Sequence, residues 1–221
     1  MVNYAIIVAA GEGKRFGQAK QFFTFRGRFL LEYVLETFEK HKNIDHIILV
    51  TSKTNRKRAH RIVTDRQYKK IRSIVSGGKQ RQDSVRNGLK SIKGKSGIVI
   101  IHDGVRPIVS PATIKRGIKL CKKYKAVIFG IPIFDTIKQV NKHVVFRTVP
   151  RGNLYLIQTP QFFEINLLRS VYKKADLTIH YTDEAAIFES LDIPVYLFRG
   201  DRFNIKITEK SDLKVLNKLL A

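Results

Sequence analysis

A three-layer α/β fold built on a mixed, mostly parallel sheet is predicted by three features of this sequence. Short β-rich apolar runs alternate with longer stretches of helical period along the whole chain. Glycine pairs follow the apolar runs at Gly11 and Gly13 and again at Gly77 and Gly78. No repeat or low-complexity linker interrupts the alternation, so the 221 residues are expected to form one domain, 1–221. Strand–helix alternation of this kind favours parallel strands joined by crossover helices that cover both sheet faces.

The strands are expected at Tyr4–Ala10, His46–Thr51, Ile71–Val75, Gly97–His102, Ala126–Ile131 and Val195–Phe198. Helices are expected at Phe29–His41, Asn55–Tyr68, Ser84–Ile92, Pro111–Tyr124, Glu164–Ala175 and Asp183–Leu191. Val85, Leu89 and Ile92 recur at i, i+4, i+7 and make one apolar stripe. The segment Phe134–Val149 (FDTIKQVNKHVVFRTV) breaks the pattern: it reads as two β-rich runs around Asn141–His143. It is expected to be an inserted β-hairpin arm, at about residues 132–156, that serves as a dimer contact. The expected whole is a Rossmann-like fold with this arm attached.

Composition bounds the function. Hydrophobic residues make up 43%, too many for a disordered chain. Lys and Arg total 42 against 18 Asp and Glu, a formal net charge of +24. Such an excess suits anionic partners, although most surface cations are simply solvated. The basic stretch Lys53–Arg72 lacks interleaved aromatics and reads as a solvated helix on the sheet, so nucleic acid is not the expected partner. The one cysteine, Cys121, excludes an intrachain disulfide and reads as a buried apolar residue. No stretch approaches the ~20 apolar residues that span a bilayer. The N-terminus runs straight into an apolar strand without a basic leader, so a cytoplasmic enzyme with no membrane partner is expected.

The chemistry gathers in AAGEGKRFGQAKQFF, residues 9–23. The dinucleotide fingerprint G-x-G-x-x-G is missed by one position, because Phe16 stands where its third glycine belongs. That disfavours a dehydrogenase. The G-x-x-x-x-G-K-[ST] pattern is absent. A nucleotide-triphosphate loop remains, with glycines that admit phosphate to the backbone N–H groups and Arg15 and Lys20 supplying charge. A plain βα turn would also carry two glycines. GGKQRQDSVRNGL (Gly77–Leu89) sets a second glycine pair between strand and helix. IIHDGVRP places Asp103 just past the carboxyl end of a strand, the edge where open α/β sheets bind ligands. QTPQFF (Gln158–Phe163), YTDEAA (Tyr181–Ala186) and FNIKIT (Phe203–Thr208) follow in order.

Together these motifs resemble the 2-C-methyl-D-erythritol 4-phosphate cytidylyltransferases, from about Ala5 to Leu216. The related ribitol-5-phosphate cytidylyltransferases look similar and are the alternative; a nucleic-acid-binding protein on an inactivated scaffold is disfavoured by the intact Arg15, Lys20 and Asp103. The resemblance implies transfer of cytidylate from CTP to a polyol phosphate with release of pyrophosphate, assisted by Mg²⁺. It implies that Arg15 and Lys20 stabilise the transition state and the leaving pyrophosphate. By the resemblance, Arg151 and Lys206 would position the attacking phosphate, Arg151 across a homodimer formed through the arm. On the same resemblance, Ala9, Ala10, Gly11, Gly13, Gly78, Arg81 and Ser84 would hold the nucleotide. Asp103, Arg106, Thr136 and Thr159 line the polyol-phosphate pocket, and Asp103 and Asp201 are the candidate Mg²⁺ ligands. The sequence departs from the family at Ala19, where a proline is usual before the lysine, and in a shorter Arg15–Lys20 interval. A less rigid loop follows from that departure.

Overall fold

The computed structural model describes residues 1–220, and at Lys14 the backbone only. Strand β1 spans Asn3–Ala9, and the first glycine loop follows it. A short hairpin of β2 (Thr24–Phe25) and β3 (Arg28–Phe29) leads into helix α1, Leu30–Lys40. Strand β4 (His46–Thr51), helix α2 (Arg56–Asp65), strand β5 (Ile71–Ser76) and helix α3 (Arg81–Ser91) come next. Strand β6 (Ile98–Asp103), helix α4 (Pro111–Tyr124) and strand β7 (Ala126–Pro132) continue the alternation. Strands β8 (Ile137–Asn141) and β9 (Val144–Val149) form the inserted hairpin. Strand β10 (Tyr155–Glu164), helices α5 (Ile165–Lys174) and α6 (Glu184–Glu189), strand β11 (Tyr196–Arg199) and helix α7 (Asp212–Leu219) complete the chain.

One sheet of seven strands runs in the order β11-β7-β10-β6-β1-β4-β5. Only β10 is antiparallel, wedged between β6 and β7. The side-chain alternation of the strands builds the two outer layers. Ile7, Ile100 and Phe162 face α1, α2 and α4, while their neighbours Ile6, Ile101 and Phe163 face α3, α5 and α6. Because both faces are covered, the central strands read as continuous apolar runs rather than alternating ones. Helix α4 begins where the sequence marks it: Ser110 accepts a hydrogen bond from Ala112 N, and Pro111 occupies the first turn. Cys121 is buried on that helix, and burial pushes its thiol up to about 12, so it is inert.

Besides the short β2–β3 hairpin, two elements lie outside the sequence expectations. QTPQFF belongs to the ten-residue strand β10. Pro160 argues against a central strand, since it cannot donate to a ladder; the structure places it at a register shift between Gln158 and Phe162. Helix α7 is the other. Its Leu216 joins Phe16, Leu30 and Ile207 in a small separate core, so the C-terminus braces the glycine loop. Helix α3 also begins three residues before the expected Ser84, at Arg81.

Candidate active site

The carboxyl ends of the parallel strands β1, β5 and β6 meet at one edge, and the glycine loops rise from it. After β1 the chain makes a 3-10 turn over Lys14–Phe16 and a second over Lys20–Phe22. Gly13 has φ +69°, and a Cβ there would stand 1.8 Å from the Gln18 carbonyl oxygen, so only glycine fits. Its own carbonyl accepts hydrogen bonds from Phe16 N and Gly17 N at 2.8 and 3.0 Å. Gln21 pins the loop from beneath: its Nε2 donates to Ala9 O at 2.8 Å and Gly11 O at 2.9 Å. Phe16, on the Arg15 turn, stacks edge-on against Phe23 with centroids 5.3 Å apart. Arg15 is therefore exposed on an anchored turn.

The second loop packs directly on the first. A Cβ on Gly77 would come within 2.5 Å of Ala10 Cβ. Gly78 N donates to Ser84 Oγ at 3.1 Å, and that hydroxyl donates to Gln80 O at 3.2 Å. Ser84 thus shapes its own loop. Asp83 Oδ2 accepts from Gln80 N at 3.2 Å and closes the start of α3.

These loops enclose a cavity of about 570 Å³ lined by Ala9, Ala10, Gly11, Gly13, Arg15, Lys20, Gly78, Arg81, Ser84, Asp103 and Lys206. A second cavity of about 1040 Å³ opens beside it, with Arg106, Gln158, Thr159 and Asp183 in its wall. The two share Arg81, Asp103 and Lys206. Thr136, Arg151 and Asp201 line neither cavity. Thr136 is exposed just before β8, and Arg151 is exposed in the turn between β9 and β10. Asp201 uses Oδ1 to accept from Phe203 N at 2.9 Å, which makes it a turn former.

The shared wall is an ion-pair cluster centred on the buried Asp103, with Lys206 at its exposed side. Lys206 Nζ lies 2.8 Å from Asp103 Oδ2, Arg81 Nε lies 3.2 Å from Asp103 Oδ1, and Arg106 Nε lies 4.0 Å from Oδ2. Burial alone would raise the Asp103 carboxyl. Arg81, then Lys206 and Arg106, outweigh burial and hold it well below the usual carboxylate range. Arg81 also reaches across to α6, where Nη1 donates to both Glu184 oxygens at 3.0 and 2.8 Å. Burial works against the Arg81 charge, but Glu184 and then Asp103 fix it as a guanidinium. Its Nη2 is buried without a protein partner. Lys20 has an amine below its ordinary value, first through burial and then through Lys206 and Arg15. A cluster of mutually repelling cations beside glycine loops favours a polyanion.

Arg106 is held in the second cavity by its neighbours. Its Nη1 donates to Asn204 O at 2.8 Å, and Asn204 Nδ2 donates to Thr159 O at 2.8 Å. His102 is wholly buried behind them, and burial lowers its imidazole to about 4, so it is neutral. Among the described residues no three His, Cys, Asp or Glu side chains gather into a metal cage. Mg²⁺ does not require one, because it takes one or two carboxylates together with substrate phosphates and water. Asp103, at the joint of the cavities, fits that minimal role.

A model of the 2-C-methyl-D-erythritol 4-phosphate cytidylyltransferase family matches residues 3–221. The chain belongs to this family. The cytidylyltransferase of Dehalococcoides mccartyi is 38% identical over 218 residues, 98% of this chain and 95% of that one. That of Dictyoglomus thermophilum is 39% identical over 220 residues, with coverage of 98% and 95%. Among solved structures, the 4-diphosphocytidyl-2C-methyl-D-erythritol synthase of Anaerococcus prevotii superposes with a TM-score of 0.85 at 36% identity, covering 99% and 96% of the two chains. The Francisella tularensis cytidylyltransferase gives 0.82 at 30% identity, covering 99% of each. As a methylerythritol phosphate cytidylyltransferase, the enzyme joins CTP and 2-C-methyl-D-erythritol 4-phosphate into CDP-methylerythritol for isoprenoid synthesis. Among the described residues no helix is long and apolar enough to cross a membrane.

Sequence reasoning singled out Arg15, Lys20, Arg81, Asp103 and Lys206, and the structure brings them together. It passed over Gln21, Glu184 and Asn204, although each lies inside a quoted motif. The available signal was residue type: a glutamine, glutamate or asparagine beside an ionic motif has no core role of its own.

Proposed function

We propose that the smaller cavity holds the CTP triphosphate, that the larger holds the polyol phosphate, and that phosphoryl transfer takes place at their shared wall. The observation that carries this reading is the double membership of Arg81, Asp103 and Lys206, which face both cavities. A phosphomonoester has a second pKa of about 6, so at neutral pH the substrate is already a dianionic nucleophile and needs no general base. One of its oxygens attacks the α-phosphorus, the new P–O bond forms, and the bond to the β-phosphate oxygen breaks to release pyrophosphate.

The obstacle is repulsion between two anions, so positioning and charge stabilisation supply the catalysis. Arg15 and Lys20 stabilise charge on the triphosphate and the departing pyrophosphate. Arg106 and Lys206 orient the attacking phosphate. Asp103 holds Lys206 extended between the cavities and keeps Arg81 beside them. Asp103 would hold Mg²⁺ at this wall, where the ion would add charge neutralisation; Asp201, engaged in its turn, is the weaker ligand. The hairpin presents Val140, Val144, Val145 and Phe146 to solvent, which suits burial against a second copy. In such a homodimer Arg151 would reach the partner's larger cavity.

The two-chamber reading is tested by binding each substrate to each of two variants. Arg15→Ala is expected to lose CTP affinity while retaining the polyol phosphate, and Arg106→Ala the reverse. Loss of the same substrate in both variants would refute the division.

A further inference from the structure

His102 ends a strand inside the core, 0% exposed, with its ring 5.2 Å from that of Phe38. A histidine in such a place needs a partner for each ring nitrogen. Nε2 lies 3.1 Å from the Arg106 carbonyl oxygen. A carbonyl only accepts, so Nε2 carries the proton and the neutral ring offers Nδ1 as an acceptor. Nδ1 lies 3.1 Å from Thr159 Oγ1, and the threonine hydroxyl therefore donates to it. The same Oγ1 accepts the backbone N–H of Asp103 at 3.0 Å. The circuit closes on its far side: Thr159 O accepts from Asn204 Nδ2, and Asn204 O accepts from Arg106 Nη1.

We infer that His102 is a positioning residue. From behind the sheet edge it fixes the turn that carries both Asp103 and Arg106, by tying that turn to β10 through Thr159. Thr159 belongs to this support. Its single hydroxyl proton is committed inward to His102, so it has none to donate to a substrate phosphate. Its place in the cavity wall is thus a consequence of holding Asp103 N–H and the imidazole together. Loss of the imidazole frees the Arg106 carbonyl and the Thr159 hydroxyl at once, and the turn loses its fixed angle to the sheet. The inference rests on the reading of the larger cavity, which Asp103 and Arg106 both line, as the polyol-phosphate side.

The test compares His102→Phe, His102→Asn and His102→Gln for turnover, for KM of each substrate and for thermal midpoint. Phenylalanine keeps the ring shape and removes both hydrogen bonds. Asparagine places an acceptor near the Nδ1 position, and glutamine a donor near Nε2. The expected result is a folded His102→Phe protein whose kcat/KM for methylerythritol phosphate falls roughly 10- to 100-fold, the scale of a small misplacement. The KM for CTP should change less, because Asp103 but not Arg106 lines the CTP cavity, and the asparagine or glutamine variant should recover part of the loss. Wild-type kcat/KM in folded His102→Phe overturns the inference. So does an equal loss in all three variants that merely follows the fraction folded. Should His102→Phe fail to fold, Thr159→Val and Thr159→Ser decide: valine impaired with serine restored supports the circuit, and equal activity overturns it. Arg106→Ala separates the two levels, because full turnover in that variant would refute the site assignment itself.

Discussion

Replacing Glu184 by glutamine removes one buried negative charge and almost no volume. Glu184 is 0% exposed and accepts Arg81 Nη1 on both oxygens, with Tyr172 Oη donating to Oε1 at 3.2 Å. In glutamine one of those oxygens becomes an NH₂ group, a donor that faces the guanidinium donor. Breaking a buried pair from one side typically costs about 3–5 kcal/mol, because the other charge stays buried. Arg81 keeps Asp103 at 3.2 Å, which sets the expectation at the low end, about 3 kcal/mol. For a chain of this size each kcal/mol moves Tm by roughly 2–4 °C, so the fall should be about 6–12 °C. Thermal melts by circular dichroism measure it. The double variant Arg81→Met, Glu184→Leu should lose less stability than Glu184→Gln alone, yet lose activity, because Arg81 faces the ligand cavities. A Glu184→Gln protein that melts with wild type, or a double variant less stable than the single, would refute the claim that α6 serves to hold the Arg81 charge in place.

Two further expectations follow from the same site. Asp103 titrates below its unfolded value, so its stabilisation is complete above about pH 3.9 and is lost as pH falls through the depressed folded pKa; urea denaturation of wild type and Asp103→Asn should differ most at neutral pH and converge in acid, and a gap that widens in acid would contradict the sign. Mixing inactive Arg151→Ala and Lys20→Ala proteins should restore some turnover through heterodimers, and no recovery despite confirmed subunit exchange would exclude action of Arg151 on the partner's site.

The fold was legible where local chemistry and tertiary packing agree. Strand β4 and helix α4 have the expected bounds because an apolar run and a Ser–Pro cap are local signals. Strand β10 was not, because its proline conflicts with a central position, and the register shift in its pairing with β7, between Gln158 and Phe162, accommodates it. Helix α7 brings only Leu213 and Leu216, with Leu220 just past its end, to the small core, a stripe short enough to pass for a tail. Within the site, cations next to glycines were readable from motif order. Of the groups that hold them in place, Gln21 acts within its own loop, whereas Glu184 and Asn204 act through contacts at long sequence separation, such as Arg81 to Glu184. No local pattern records such a contact. The paired cavities likewise arise from loops distant in sequence, and no local pattern places Arg81, Asp103 and Lys206 in their common wall.

The central claim is tested most directly by pyrophosphate release from the purified protein with CTP and Mg²⁺, offered 2-C-methyl-D-erythritol 4-phosphate or ribitol 5-phosphate. Release with the first substrate alone is the predicted result. Release with ribitol 5-phosphate alone, or silence with both from folded protein that binds CTP, would contradict it.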